Sequence, residues 1–449
     1  MRPSELPWRR PRHELLLLSL VAIATLTIVY PPRAQDISRL CLTQAIEHGH
    51  LDNDACLNGA VDVSTYGGHR YSDKAPAMSV VAVPVAKLVG LRTPDRWHLS
   101  GDLRVWATRI AVGGLALLLC AFLVGRVAEG LVPGAGGLTL VAFALGTELG
   151  SLAVDNFAHA PAAALAFGAF VLAWSRRPFL AGLVAGAGVL TEYETGLVAL
   201  VLAGYVVLLG WRPLARYIGG VAPAALLLGA YDWAAFGSPF HLSYRYVADA
   251  FAADQAAGFF GIHVPHAHTL HLVFLGDRGL VWDMPFLIAA AVGLFLLPRA
   301  EALVCAVVVV AFVVLDAGYF DPYGGDSPGP RFLAPALPFL VLGLPPVLAR
   351  ARTLCIVLVG ISIVASVAIA LSWPTAVNVA PSFRGTVWRR LRDWHPFVTW
   401  MQKNVLSWVG IGTRGAAVVV AAAALAAFVV ATRAAVSSRR PRAAETPAA

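Results

Sequence analysis

Three polar sites stand out against an otherwise apolar chain. Asp36 follows the end of the first apolar run, Tyr30, by six residues. Asp73 and Lys74 close the stretch RYSDKAP, where a second apolar run begins. Arg331 closes the glycine- and proline-rich stretch GGDSPGPR, at the start of a late apolar run. A carboxylate such as Asp36 can take a proton from a hydroxyl. Lysine and arginine can hold a phosphate, arginine through two parallel hydrogen bonds. At 4 Å a unit charge pair is worth about 4 kcal/mol at an effective dielectric of about 20. Asp73 either orients Lys74 or helps to hold a metal ion. Asp155 and His159 share the stretch DNFAHAP at the start of another apolar run and are further candidates to touch a substrate. Each site also has a plain structural reading. Asp36 could cap a helix over residues 37–48, worth about 1 kcal/mol. Lys74 could snorkel at a membrane interface, and Arg331 could anchor there.

The elements that position these groups must be membrane helices. The 449 residues are 58% hydrophobic and 13% charged, and the mean hydropathy is +0.70. A soluble domain carries about 25% charged residues. Apolar runs recur at 14–30, 105–125, 132–152, 157–174, 179–192, 195–210, 214–235, 280–297, 301–318, 332–349, 353–372 and 413–432. They predict an all-α, polytopic transmembrane bundle of about twelve spans. Pro31-Pro32 follow the first run without a signal-cleavage pattern, so it reads as a retained anchor. The run 75–91 is short and holds Pro76, Pro84 and Lys87. Laid along the outer interface rather than across the bilayer, it leaves the arginine clusters of both chain ends and of the short loops on the cytoplasmic side. The fifth and sixth runs, short and glycine-rich, form a tight hairpin.

This topology puts segments 31–104, 236–279 and 373–412 outside, the first carrying interfacial helices. Most acids then fall at outer helix ends, among them Asp36, Asp73, Asp155, Glu192, Glu194, Asp321 and Asp326. They are expected to surround one polar cavity, because charges at span ends are costly alone. The net charge of +8 is spread over short orienting clusters and does not point to nucleic acid. No phosphate-cradling glycine loop occurs in a strand–turn–helix context. His263, His266, His268 and His271 fall within nine residues, but a proline breaks their helical spacing, and they read as a polar loop rather than a zinc site. No metal-ligand set is assigned. Cys41 and Cys56 share the outer loop, and both a disulfide and two free thiols are open. Cys120, Cys305 and Cys355 read as packing residues inside spans. Trp373, Trp388, Trp394, Trp400 and Trp408, with Arg389, Arg390, Arg392 and Lys403, mark an amphipathic interfacial segment. The chain therefore divides into a transmembrane module over 1–372 that includes loop 31–104, an exterior segment and last span over 373–432, and a disordered cytoplasmic tail over 433–449.

The order of these parts resembles the GT-C membrane glycosyltransferases, the group that includes protein mannosyltransferases and bacterial aminoarabinose transferases. One span is followed by Asp36, a long outer loop, Lys74-Ala75-Pro76, paired short spans and the late outer loop Gly329–Arg331. FGSPF (Phe236–Phe240) followed by Tyr244, and an RGL turn (Arg278–Leu280), add to the likeness. The departures are Ile37, where many relatives have a second acid, and Ala75, where many have proline. The resemblance implies a sugar carried on polyprenyl phosphate and moved to a hydroxyl of a glycan, lipid or protein on the outer face of the cytoplasmic membrane. It implies a hexosyl- or pentosyltransferase in which Asp36 is the base and Lys74 lies near the donor phosphate; Arg331, by its residue type and position, would join Lys74 in stabilising the leaving phosphate. A divalent cation could assist, but no cofactor is required, and membrane lipids are the expected surroundings. The rival reading is a transporter or lipid-linked-sugar flippase, which would place ionisable residues at mid-membrane in two matching halves.

Overall fold

The computed structural model describes residues 11–30, 32–91, 103–325, 327–372, 382–394 and 403–437. Asp326, Trp373, Trp400, most of the terminal arginines and the greater part of the tail assigned as disordered lie outside the described residues.

Helices dominate because the sequence is a succession of apolar runs bounded by glycine, proline and arginine. Among the described residues five are long and apolar enough to cross a membrane: Leu103–Leu131, Trp211–Phe236, Arg299–Gly318, Arg352–Ser372 and Thr413–Ser437. Shorter apolar helices occupy the other runs, including His159–Trp174 and Pro178–Thr191. The chain is a multi-pass helical membrane protein. Its large buried cluster draws on nearly every apolar helix, from Leu17 to Ala435. The first helix, Pro11–Leu26, packs on the last, Thr413–Ser437, and so brings the two ends of the chain together.

Three expected runs are not single helices. The run 132–152 is a helix Gly136–Leu145, a turn and the short piece Leu149–Leu152. The run 280–297 is interrupted at Met284-Pro285, because proline lacks the amide hydrogen needed to continue the ladder. The run 332–349 starts as a 3₁₀ turn, Arg331–Ala336, followed by Leu337–Val341 and Leu344–Leu348, where Pro338, Pro345 and Pro346 break it again. The expected hairpin of short helices is present as Pro178–Thr191 and Gly196–Val207. Its turn holds Glu192-Tyr193-Glu194. Pro178–Thr191 lies against Trp211–Phe236, so close at Gly182 that a β-carbon there would strike the Tyr217 carbonyl.

The first loop is built on helix Ala34–Glu47, tied by the disulfide Cys41–Cys56 to the segment that follows. Asp36 sits in its first turn, where its carboxylate accepts from the Arg33 amide at 3.2 Å. The helix starts at Ala34 rather than at residue 37, so Asp36 lies inside it and does not occupy the capping position before it. A β-hairpin, Val63–Tyr66 with His69–Ser72, comes next and was not evident in the sequence. Its turn, Gly67-Gly68, has φ values of 60° and 89°, the left-handed region that two-residue hairpin turns require. The hairpin ends at Ser72 and so delivers Asp73 and Lys74 directly beneath it. Helix Ala77–Val89 follows, with 13 residues. At 1.5 Å per residue it spans about 20 Å, short of the hydrocarbon core of about 30 Å. Leu88 on it is 86% exposed. That length suits a helix lying at an interface.

Candidate active site

The loop residues converge on a cavity of about 350 Å³. Asp73, Lys74 and Arg331 all line it, with Gln35, Tyr244 and Tyr319. The hairpin supplies the first pair, the start of the late 3₁₀ turn supplies Arg331, and helix Ala34–Glu47 supplies Gln35.

Lys74 is buried, with Nζ 2.9 Å from Asp62 Oδ1 and 3.1 Å from Asp73 Oδ2. It also lies over the Tyr244 ring at 5.7 Å. Burial pulls its pKa down, but the carboxylates of Asp62 and Asp73 outweigh it and leave Lys74 above its ordinary value. Asp73 is held in place through its own carbonyl, which accepts from Ser243 Oγ at 2.6 Å. Its Oδ1 is buried without a hydrogen-bond partner. Burial pushes the Asp73 carboxyl up to about 7, against the opposing pull of Lys74. Asp73 thus has one oxygen committed to Lys74 and one uncommitted.

Arg331 is arranged differently. Its guanidinium rests on the rings of Phe157 at 4.7 Å and Phe332 at 5.2 Å. With the Gln35 amide turned so that its oxygen faces the guanidinium, that oxygen accepts from Nη1 and Nη2, both at 3.1 Å. Among the described residues no carboxylate comes within 4.0 Å of it. Gly324, at φ 68°, lies against it, and a β-carbon there would strike Arg331 Nε. A buried guanidinium that faces a cavity and has a neutral amide as its partner among the described residues is suited to receive an anion.

Asp36 and Asp155 lie behind the cavity rather than on it. Asp36 accepts from Arg109 Nε at 3.0 Å and Nη2 at 2.8 Å, from the Asn156 amide at 2.8 Å and from the Arg33 amide at 3.2 Å. A carboxylate offers about four acceptor positions, and all of these are occupied. Asp155 lies 3.8 Å from Arg109 Nη1, which itself donates to the Tyr30 carbonyl at 2.7 Å. Arg109 immediately precedes a π-helical segment, Ile110–Gly114, a local widening frequent at functional positions. His159 is fully buried and touches the cavity only through Phe157 and Phe332, whose rings flank it at 5.9 Å each. The acids at these helix ends therefore form two layers, one on the cavity and one packed behind it.

No family model matches the sequence, and no curated protein does. Solved structures do match. The crystal structure of ArnT from Cupriavidus metallidurans bound to undecaprenyl phosphate superposes with a TM-score of 0.52 at 16% identity, over 95% of this chain and 76% of ArnT. The chain shares the fold of that structure. Two structures of the Archaeoglobus fulgidus oligosaccharyltransferase, one apo and one holding an inhibitory peptide and a dolichol-phosphate, also match. Their TM-scores are 0.46 and 0.43, at 13% and 11% identity, over 98% and 97% of this chain and 57% of each of theirs. A likeness that slight carries no argument.

Within this fold several polar residues were missed by reading the sequence. Arg109 was counted as part of an apolar span, although a lone arginine there is itself a signal. Arg39 and Glu192 form a buried pair at 2.7 Å across 153 positions of sequence. Asp62, the nearest partner of Lys74, sits at φ 63° just before the hairpin. The four clustered histidines are not brought together as a metal site.

Proposed function

We propose that the chain transfers a sugar from a polyprenyl-phosphate donor to a hydroxyl of a glycan, lipid or protein. The observation that supports this most is the cavity itself. It joins Arg331, which has no acidic partner among the described residues, to the Lys74–Asp73 pair. The lipid phosphate lies against Arg331 and Lys74. The acceptor oxygen attacks the anomeric carbon, the bond from that carbon to the phosphate oxygen breaks, and the electron pair leaves with the polyprenyl phosphate. The acceptor proton passes to a carboxylate. Asp73 is the better placed base: it lines the cavity, its Oδ1 is uncommitted, and its pKa near 7 suits proton transfer at neutral pH. Asp36 serves that role only if substrate binding draws Arg109 away. Otherwise its part is to hold Arg109 and the first-loop helix in place. On our reading, which the arginine distribution supports, the cavity faces the outer side of the cytoplasmic membrane. The sugar is a hexose or a pentose.

The test is turnover in lipid nanodiscs with a polyprenyl-phosphate-linked sugar. Release of free polyprenyl phosphate, lost in Arg331→Ala, supports the proposal. Movement of the intact lipid-linked sugar across a vesicle bilayer with no release favours the transport reading and refutes the transferase one.

A further inference from the structure

Behind the aromatic wall of the cavity lies a second cluster, which the transfer reaction above does not use. We propose that His159, Glu192 and Glu194 bind one divalent transition-metal ion of the zinc or manganese class. His159 is the first residue of helix His159–Trp174, and its side chain is fully buried. Neither of its ring nitrogens has a hydrogen-bond partner, nor does Glu194 Oε1. Buried polar atoms are costly to leave unsatisfied, and a single cation shared by these groups would satisfy them together.

The geometry fits an ion. His159 Nδ1 lies 3.9 Å from Glu192 Oε1 and 3.8 Å from Glu194 Oε1. One ligand atom from each residue lies within 4.8 Å of the others. Zinc ligands sit about 2.0–2.2 Å from the metal, so two of them are at most about 4.4 Å apart. These two separations already meet that limit, and shifts of a few tenths of an ångström bring in the third. The other oxygen of Glu192 accepts from Arg39 Nη2 at 2.7 Å. An outer partner of this kind orients a metal-binding carboxylate. One imidazole and two carboxylates form a mixed donor set that suits zinc or manganese better than calcium.

The position gives the ion a role. Phe157 and Phe332 touch His159 on one side and carry the Arg331 guanidinium on the other. A metal here ties together the helix starting at His159, the turn 192–194 and, through Arg39, the first-loop helix. It is a positioning device for the wall on which Arg331 rests. A second trio, Asp52, Asp54 and His69, is more open to solvent, with the His69 side chain 56% exposed. It makes ordinary surface ion pairs and serves as the control.

The experiment is metal binding by the purified full chain in detergent. The protein is stripped with a chelator and then titrated with Zn²⁺ or Co²⁺. Stoichiometry is read by elemental mass spectrometry, coordination by the visible absorption of Co²⁺, and stability by the thermal midpoint with and without metal. The wild type should bind one equivalent at this site and melt higher with it. His159→Phe, which keeps the ring stack, and Glu194→Gln should each weaken that equivalent about 10-fold or more and abolish the thermal gain. Asp54→Asn with His69→Asn should leave it intact. Absence of bound metal in the wild type overturns the proposal and leaves a shared proton as what satisfies the cluster. Binding lost only with the Asp54 and His69 changes overturns it equally.

Discussion

Replacing Asp73 with asparagine separates the two candidate bases. The side chain keeps its size and its contact with Lys74 but can no longer take a proton. General-base catalysis contributes about 10²–10⁴-fold. The change should therefore cost at least about 2.7 kcal/mol of transition-state stabilisation, at about 1.36 kcal/mol per tenfold. The sign of the pH dependence follows from the raised pKa. A base works only when deprotonated, so the wild-type rate should climb as pH rises through about 7, where burial sets the Asp73 carboxyl. Asp62→Asn removes a neighbouring negative charge that helps to raise it, and should move that limb to lower pH. The assay is release of polyprenyl phosphate from a lipid-linked sugar between pH 5 and pH 9, with binding of the lipid measured alongside. Asp73→Asn should lose the pH limb and most of the rate while binding the lipid normally. A rate and profile close to wild type in Asp73→Asn, with the loss appearing in Asp36→Asn instead, would falsify the assignment and show that Arg109 releases Asp36 during turnover.

Other consequences can be checked separately. Gly324→Ala puts a β-carbon into Arg331 at a strained φ of 68°, and should weaken lipid-phosphate binding about as much as losing a charged hydrogen bond, 1.5–3 kcal/mol; unchanged binding would mean that Arg331 does not hold the phosphate. Paired replacement of Cys41 and Cys56 by serine opens a loop of 15 residues and should lower stability by about 3 kcal/mol, read as a fall in thermal midpoint under non-reducing conditions. A cysteine at the exposed position His50 should react with an impermeant maleimide in intact cells, and labelling only after permeabilisation would put the first loop inside.

Helix positions were legible because apolar runs and their proline and glycine borders are local. The short helix Ala77–Val89 and the hairpin around Glu192 both came from run length and composition. What the sequence could not show was which charges meet. Asp36 and Arg109 pair across 73 positions, and Arg39 and Glu192 across 153. Nothing local in either residue names its partner. Asp36 was therefore read as an open carboxylate, when its acceptor positions are filled. Asp73 was read as a possible partner of Lys74, but Asp62, which also holds it, was not. The hairpin before Asp73 was missed because its strands are only four residues each, too short for alternation to register. The breaks at Met284-Pro285 and across 331–348 were legible in principle, since each carries proline. They were overridden by the expectation that an apolar run of span length is one helix.

The account rests on one lipid phosphate being held in the cavity by both Arg331 and Lys74. The most direct measurement is equilibrium binding of a polyprenyl phosphate to the wild type, Arg331→Ala, Lys74→Gln and the double variant, all in the same nanodiscs. Each single change should weaken binding about 10-fold or more, as expected for a lost charge-assisted hydrogen bond of about 1.5–3 kcal/mol. The double variant should lose less than the sum, because residues that share a partner are not additive. Losses that add cleanly would mean that the two cations do not share a phosphate. Wild-type affinity in all three variants would contradict the account outright.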